Sequence, residues 1–285
     1  MSEAAARIEE APAAVTAGGG RARRVRRFPW WGALWLVLGA AYFLLPLLAT
    51  LQFSLRVGRD AYGLDAYRKI LADPFFRDSL WLSFKLSVYT IVVALLLLVP
   101  TAYWVHLKLP RLQPAVEFLT VLPFVVPPIV LVVGLLRGFR WTPTWFYGGY
   151  LLLVAGYVVL SFPYVYRSLD AGLRAIDIHT LTEAAQSLGA SWPQVLFRVI
   201  VPNLKASLLS AAFLTFAIVM GEFTMAVIML FNTFAVYIAY VMETQATGAA
   251  ALSVISFAIT WLSMLGILVV GRRVGGRQVQ IGGVR

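Results

Sequence analysis

The 285-residue chain contains no cysteine and only two histidines. Without cysteine it can form no disulfide bond, no thiolate metal site and no cysteine nucleophile. His106 and His179 are both predicted to lie in cytoplasmic loops, and they lack the spacing of a metal-binding pair. The sequence therefore predicts no catalytic site, no metal site and no cofactor, and the chain is not expected to be an enzyme.

A phosphate-binding Gly-x-x-x-x-Gly-Lys-Ser/Thr run is also absent from the sequence. Such a run places backbone amides and a lysine around the phosphates of ATP. Any ATP that drives this chain must therefore be bound by a separate polypeptide.

Charged residues are scarce, at 13% of the chain, whereas hydrophobic residues make up 60%. This composition is typical of an integral membrane protein and excludes an ordinary soluble domain. The formal net charge of +11 does not indicate nucleic-acid binding, because the Lys and Arg residues gather at the ends of apolar segments. Those apolar segments are the main structural signal in the sequence.

A helix needs about 20 apolar residues to cross a bilayer. Six stretches satisfy this requirement, so we expect an all-α integral membrane protein with six transmembrane helices. The predicted spans are 31–55, 79–104, 116–136, 147–166, 205–231 and 250–271. Prolines within or beside several of these spans predict kinks.

The distribution of basic residues predicts which ends of the spans face the cytoplasm. Sixteen of the 24 Lys and Arg residues lie in the N-terminal tail, in the C-terminal segment or in the loops after the second and fourth spans, and seven lie in the other loops. Basic loops tend to remain on the cytoplasmic side. We therefore expect both termini and the loop 167–204 to be cytoplasmic.

Residues 1–29 begin with a stretch rich in Ala, Gly and Glu and end in a cluster of arginines. This composition predicts a disordered, basic cytoplasmic tail. The arginine cluster is typical of a topology anchor that is attracted to anionic lipid. Residues 30–285 are expected to form the transmembrane domain.

The segment 180–202 has the pattern of two short helices joined by a turn. Thr180 and Glu183 fit a capping box at the start of the first helix. Gly189 stands where the end of that helix requires a left-handed residue. The apolar residues spaced for one face of the first helix are Leu181, Ala184, Ala185 and Leu188.

The second helix of the segment has its own start and stop signals. Ser191 and Gln194 fit a capping box, and Pro193 lies in the first turn, where its missing amide is harmless. Pro202 is expected to end the unit before the fifth span. The residues alone also fit an amphipathic loop that lies on the bilayer, whereas a structured cytoplasmic loop is more simply explained as a contact for a soluble partner.

This run resembles the EAA loop of permeases of ATP-binding-cassette (ABC) importers. That loop has Glu-Ala-Ala, a Gly four residues after the second Ala, and an Ile and a Pro about ten residues further on. The matching residues are Glu183, Ala184, Ala185, Gly189, Ile200 and Pro202. The segments 122–128 and 220–257 are similar to permeases grouped with polyamine, ferric iron, thiamine and phosphonate importers.

The resemblance implies a MetI-like permease bundle in the bacterial inner membrane, with a cytoplasmic EAA helix–turn–helix at about 171–202. It implies three partners: a second permease subunit, identical or homologous; a cytoplasmic ABC ATPase dimer, which binds the ATP; and an extracytoplasmic substrate-binding protein. It also implies alternating access, in which ATPase closure moves the 180–202 helices and the fifth span. The expected substrate is a polyamine such as spermidine or putrescine, or another small solute.

Two charged residues, Lys85 and Glu222, are predicted to lie in the outer half of the bilayer within spans. Charges at such depth usually face a bundle interior or an aqueous cavity. Three interpretations remain open: these residues line the translocation pathway, they form a structural ion pair, or their side chains snorkel to the membrane surface. A carboxylate in the cavity favours a cationic substrate, whereas Lys85 weakens that argument.

Two other functions remain open for an apolar chain with six spans. A stand-alone secondary transporter driven by an ion gradient is expected to have several acidic groups at mid-membrane and inverted repeats, whereas this chain has one such Glu and no evident repeat. An intramembrane enzyme is disfavoured because the spans contain no His or Asp pairs. Co-purification of a stoichiometric ATPase would distinguish the importer from both.

Overall fold

The computed structural model describes residues 30–58 and 61–275. The tail predicted at 1–29 lies outside these residues. The chain divides into two units between Leu45 and Pro46, within the first helix. All later elements belong to the second unit.

The described chain is helical apart from one short antiparallel hairpin, in which Arg56 lies opposite Tyr62. A 3₁₀ turn (Pro110–Leu112) precedes α4, and a π turn (Leu196–Ile200) lies between α9 and α10. In chain order the elements are α1 (Trp30–Ser54), β1 (Arg56–Val57), β2 (Ala61–Tyr62), α2 (Asp65–Ala72), α3 (Pro74–Lys108), α4 (Gln113–Val125), α5 (Pro128–Gly138), α6 (Thr144–Tyr147), α7 (Tyr150–Arg174), α8 (Ile178–Ser187), α9 (Trp192–Val195), α10 (Val201–Asn203), α11 (Lys205–Gly221), α12 (Thr224–Ile228), α13 (Phe234–Thr244) and α14 (Ala246–Gly275).

Four helices, α1, α3, α7 and α14, are long and apolar enough to cross a membrane. Two further apolar stretches are bent pairs of helices: Pro110–Val125 meets α5 at 101°, and Trp192–Asn203, which belongs to the loop predicted to be cytoplasmic, meets α11 at 79°. Counting each bent pair as one span gives six within the described residues. The all-α prediction is confirmed, and the predicted six spans are the upper limit of the four to six that length and apolar composition allow. The kinks expected from prolines did not predict bends as large as these.

Helix α3 is longer at both ends than the predicted span 79–104. It begins at Pro74 because Asp73 caps it: the Asp73 carboxylate accepts a hydrogen bond from the Phe75 amide at 2.9 Å, and proline needs no amide partner in a first turn. At the other end the helix continues past the apolar stretch to Lys108. The prediction that His106 lies in a loop is therefore wrong.

Helices α3, α7 and α11 pack against one another at the centre of the second unit. The buried face of α3 carries small side chains, which let neighbouring helices approach closely. These residues are Ser79, Ser83, Ser87, Thr90, Ala94 and Ala102. Helix α7 comes equally close to α11 at Gly172, where a β-carbon would overlap the side chain of Ser207.

Helix α13 forms a second core with α2, α3 and α14. The stretch between the fifth and sixth predicted spans was expected to be an outer loop, so this helix was not predicted. Its buried residues, Phe234, Tyr237 and Val241, nevertheless recur at the spacing of one helical face. The helix was therefore encoded by a pattern that a search for membrane spans does not detect.

Candidate functional site

The first helix of the EAA loop, α8, begins earlier than predicted. Its N-cap is Asp177, whose carboxylate accepts hydrogen bonds from the Thr180 amide at 3.1 Å and from the Thr180 hydroxyl at 2.7 Å. The predicted capping box of Thr180 with Glu183 is therefore wrong, since Thr180 lies inside the first turn. An ionised carboxylate is a stronger acceptor for free helix amides than a hydroxyl.

Both hydrogen bonds from Thr180 lower the pKa of the Asp177 carboxyl below its usual value. The bond from the Thr180 hydroxyl has the larger effect, and the bond from its amide adds to it. The cap is therefore charged at neutral pH and complements the helix dipole. Because folding lowers the pKa of the Asp177 carboxyl, its charge stabilises the start of α8 fully at any pH above the pKa of the unfolded state. This stabilisation is lost only as the pH falls through the lowered pKa of the folded state. Changes near neutral pH leave the cap intact.

Gly189 ends α8 in the predicted left-handed conformation, with φ of +85°. The Gly189 amide donates to the Gln186 carbonyl at 2.8 Å, and the Ala190 amide donates to the Ala185 carbonyl at 3.1 Å. This pair of bonds is a Schellman motif, which satisfies the last carbonyls of the helix. The turn thereby fixes the direction in which the chain leaves the first helix.

The second helix starts at the predicted place. The Gln194 side chain reaches back to accept a hydrogen bond from the Ser191 amide at 2.9 Å, and Pro193 lies in the first turn. The predicted end at Pro202 is wrong, because the helical segment α10 continues to Asn203. The chain turns only at Leu204, which accounts for the 79° bend before α11.

The EAA residues divide between an exposed surface and the protein core. Glu183, Ala184, Gly189 and Pro202 are exposed, and Ala185 is half-buried, whereas Ile200 is fully buried. The predicted apolar face of α8 is partly wrong, because Leu188 has 90% of its surface exposed. The face that α8 buries runs instead through Ile178 and Thr182.

The fifth span is interrupted at Glu222. Helix α11 ends at Gly221, and Glu222 has an extended backbone before the short helix α12. The Glu222 carboxylate accepts hydrogen bonds from the Met225 amide at 2.9 and 3.1 Å and from the Ala226 amide at 3.3 Å. The continuous span predicted over 205–231 is therefore wrong, since this side chain provides partners for the amides that the break sets free.

The third span is also interrupted, at Val126 and Pro127. Pro127 and Pro128 have no amide hydrogen, and a residue that precedes proline avoids the helical conformation. Val126 accordingly has an extended backbone, with ψ of 115°.

A cavity of about 460 Å³ lies between the break in the third span and the break in the fifth. Glu222 lines this cavity and is half-buried. The remaining lining residues are Pro123, Phe124, Val125, Val126, Pro127, Pro128, Leu160, Tyr164, Ile218, Gly221, Phe223 and Thr224. The only ionisable groups among them are a carboxylic acid and a phenol, so the cavity suits a ligand with positive charge or hydrogen-bond donors.

Lys85 lies apart from this arrangement. It is exposed on α3, and within residues 30–58 and 61–275 no ion pair joins it to Glu222. The structure therefore does not bring the two predicted pathway residues together. The neighbour of Glu222 is instead Tyr157, whose buried hydroxyl lies near the carboxylate.

A polar cluster that the sequence analysis missed joins α3 to α7. The His106 Nε2 atom lies 2.8 Å from Asp170 Oδ1, and Arg174 Nε donates to both oxygens of the same carboxylate at 2.8 and 2.9 Å. The spacing of Asp170 and Arg174 on one helix face is visible in the sequence, whereas the contact with His106 depends on the fold. In the part of the chain that the structure describes, three or more His, Cys, Asp or Glu side chains are nowhere close enough together to hold a metal ion.

Comparison with known proteins agrees with this architecture. The family described as binding-protein-dependent transport system inner membrane component matches residues 99–276. The chain is 25% identical over 213 residues to the spermidine/putrescine transport system permease protein PotB of Haemophilus influenzae, which covers 67% of this chain and 73% of the relative. It is 32% identical over 157 residues to the molybdenum transport system permease protein ModB of Azotobacter vinelandii. That alignment covers 50% of this chain and 67% of the relative.

Solved structures share the fold at low sequence identity. A bacterial ABC transporter involved in the import of the acidic polysaccharide alginate aligns with a TM-score of 0.68 at 14% identity, covering 86% of this chain and 94% of that chain. A bacterial alginate ABC transporter in complex with an alginate pentasaccharide-bound periplasmic protein aligns with a TM-score of 0.62 at 16% identity, covering 90% and 96%. The chain therefore belongs to the family of binding-protein-dependent transport system inner membrane components, has the MetI-like permease fold, and is a permease subunit of an ABC importer.

Proposed function

We propose that the chain moves its substrate by alternating access and that its EAA loop is the docking site of a cytoplasmic ABC ATPase dimer. The observation that carries this proposal is the geometry of the loop. Two capped helices, joined by a Schellman motif, present Glu183, Ala184 and Leu188 to solvent. An exposed Leu at the turn, preceded by an exposed Glu on the first helix, suits contact with a protein partner.

The remaining partners follow from the family. A second permease subunit, identical or homologous, would complete the pathway, and an extracytoplasmic substrate-binding protein would deliver the substrate. The alginate transporter that shares this fold was solved in complex with a periplasmic protein, which supports that type of partner. We place the chain in the bacterial inner membrane with both termini cytoplasmic, on the basis of its basic loops.

We further propose a cationic substrate of the polyamine class, bound in part by Glu222. The similarity to a spermidine/putrescine permease supports this choice, and so does the carboxylate in the cavity. The similarity to a molybdenum permease points to a different substrate. An oxyanion, however, would be repelled by the Glu222 carboxylate.

Transport by the reconstituted complex tests this function. The permease would be assembled in proteoliposomes with a candidate ABC ATPase and a candidate binding protein from its source organism, and uptake of labelled spermidine and molybdate would be compared with and without ATP. We expect ATP-dependent uptake of spermidine only. ATP-dependent uptake of molybdate would overturn the substrate, and uptake that follows an ion gradient without ATP would overturn the ABC mechanism.

A Glu222→Gln substitution tests the role of the cavity carboxylate. The Gln side chain oxygen still accepts from the Met225 amide, so α12 should stay capped and the protein should fold. We expect the KM for a polyamine to rise about ten-fold or more, because a hydrogen bond to a charged group contributes about 1.5–3 kcal/mol. Glu243→Gln, an exposed site, is the matched control and should leave KM unchanged. An unaltered KM in Glu222→Gln would exclude a substrate contact.

Cysteine labelling tests the orientation. The native chain has no cysteine, so every signal comes from the introduced residue. We expect Ala185→Cys to react with an impermeant thiol reagent only after permeabilisation, and Glu243→Cys to react in intact cells. The reverse pattern would place the EAA loop outside the cell, where it could not contact a cytoplasmic ATPase.

A further inference from the structure

Helix α3 is the longest helix in the described chain, with 35 residues from Pro74 to Lys108. At 1.5 Å per residue it extends about 52 Å, which exceeds the thickness of a bilayer core. Pro100 lies inside it without ending the helix. The helix is therefore one continuous element whose two ends contact different parts of the protein.

At the EAA-loop end, α3 is bonded to the first helix of the loop. The Tyr103 hydroxyl and the Thr182 hydroxyl on α8 lie 3.0 Å apart. Both residues are buried, with 2% of each exposed. Water cannot replace a lost partner at such a site, so removal of one hydroxyl leaves the other unsatisfied. The first helix of the loop is thus fixed to α3.

The second helix of the loop is held by the same end of α3. Trp192 packs edge to face against Trp104, with ring centroids 5.3 Å apart. The Lys108 Nζ atom lies 5.1 Å from the centroid of the Trp192 ring. Edge-to-face and cation–π contacts both depend on geometry as well as on burial. The last two turns of α3 therefore hold both helices of the EAA loop in place.

The covalent link between the loop and α11 is not a straight helix. The π turn Leu196–Ile200 lies in it, Pro202 contributes no amide, and the chain then bends by 79° before α11. π turns and prolines mark interruptions of regular helix geometry. A displacement of the loop is thus not carried along one straight helix into the fifth span.

At the opposite end, α3 holds helix α13. The Phe234 amide donates to the Ser83 hydroxyl at 2.8 Å in a buried site. The Tyr237 hydroxyl donates to the Asp73 carboxylate at 2.7 Å. The ring of Phe76 packs against those of Phe234 and Tyr237, at centroid distances of 6.1 and 6.2 Å. The start of α13 is therefore joined to α3 by polar and apolar contacts together.

We propose that α3 transmits displacement of the EAA loop to α13, an inference that rests on the proposed coupling of the loop to an ATPase. Tyr103 and Thr182 are the positioning residues at one end, and Asp73 and Tyr237 are those at the other. The two ends lie roughly 45 Å apart along one helix. Packed helices and buried hydrogen bonds have discrete arrangements rather than continuous ones, so a shift of α3 moves α13 with it.

A single label on α13 reports this movement. Met242 is 64% exposed, and the chain has no native cysteine, so Met242→Cys gives one site for a nitroxide or fluorophore. The labelled permease would be reconstituted with its ATPase and binding protein, and spectra would be compared without nucleotide and with ATP and vanadate. We expect an ATP-dependent change in the signal of the label.

Removal of either hydroxyl at the EAA-loop end should uncouple this change. We expect Tyr103→Phe and Thr182→Val each to reduce the ATP-dependent change in the label signal about five-fold, which corresponds to loss of one neutral hydrogen bond. The amount of bound ATPase and its rate of ATP hydrolysis should not change. Tyr89→Phe is the matched control on the same helix. Tyr89 is 44% exposed and stacks on Tyr150, and we expect no change on loss of its hydroxyl.

The double variant Tyr103→Phe with Tyr237→Phe separates transmission from mere stability. Effects on stability should add, because the sites are far apart. The amplitude should fall no further than in Tyr103→Phe alone, because that change already interrupts the route through α3 and the remaining signal does not depend on α3. Amplitudes that multiply, or full amplitude in both Tyr103→Phe and Thr182→Val, would overturn the inference. If the labelled complex without further changes takes up substrate with ATP but the label gives no change, the inference is also overturned. If the permease binds no ATPase at all, both the inference and the proposed function are overturned.

Discussion

Replacement of Gly189 by Val should reduce ATP-dependent uptake about ten-fold or more while the protein still reaches the membrane. Gly189 has φ of +85°, and a left-handed conformation costs a non-glycine residue about 1–2 kcal/mol, with β-branched residues the least tolerant. A β-carbon at this position would meet no atom within 4 Å. The effect is therefore one of backbone conformation alone: the Schellman motif opens and the two loop helices lose their fixed angle.

Two further substitutions at this position make the argument specific. Gly189→Asn should retain most of the uptake, because Asn tolerates the left-handed conformation. Gly189→Ala should fall between Asn and Val. Membrane insertion, measured by the amount of extracted protein, should be equal in all three. Equal uptake by the Val and Asn variants would contradict a role for the turn geometry.

Reversal of the charge at Glu183 should abolish uptake through a different cause. Glu183 is exposed, and its side chain does not cap α8, because Asp177 does. Lys is as good a helix former as Glu, so the loop should fold normally in Glu183→Lys. If Glu183 pairs with a charge on the ATPase, we expect affinity for the ATPase to fall at least about thirty-fold, since loss of a charged interfacial partner costs about 2 kcal/mol or more.

Glu243→Lys provides the same change of net charge at an exposed site far from the loop in sequence. It should leave ATPase binding and uptake at the level of the parent. The readouts are the ATPase retained on the purified permease and the uptake rate in proteoliposomes. Normal ATPase binding by Glu183→Lys would show that this residue is not part of the docking surface.

Local signals in the sequence predicted the end of α8 correctly but not its beginning. Gly189 is the sole glycine near the end of the helical pattern, and only one conformation there satisfies the last carbonyls. At the start, Asp177 and Thr180 stand three residues apart, as do Thr180 and Glu183, so two overlapping caps were available. The carboxylate of Asp177 prevails over the Thr180 hydroxyl because it is the stronger acceptor.

The breaks in the third and fifth spans were present in the sequence but were underestimated. Consecutive prolines at 127 and 128 leave Val126 no favourable helical conformation, which predicts a break rather than a kink. Glu222 was recognised as a costly charge within a span. Its second role, as the acceptor for the amides of Met225 and Ala226, follows from the break itself and could not be predicted from a count of apolar residues.

Contacts between distant segments could not be derived from one sequence. Tyr103 and Thr182 are 79 residues apart, and Asp73 and Tyr237 are 164 residues apart. Each pair meets because the helices around it are packed by apolar and small residues, and no local pattern records which helices become neighbours. The sequence thus predicted the composition of the EAA loop, whereas its attachment to α3 required the structure.

The most direct test of the central claim is the co-purification of an ATPase with this chain. The permease would be expressed together with candidate ABC ATPases from its source organism and purified in detergent, and the ratio of ATPase to permease would be measured. We expect one ATPase per copy of this chain if the second permease subunit is identical, or two if it is a homologue, for both the parent and Glu243→Lys, and loss of the ATPase from Glu183→Lys. A parent permease that is purified in folded form without the co-expressed ATPase would contradict the account.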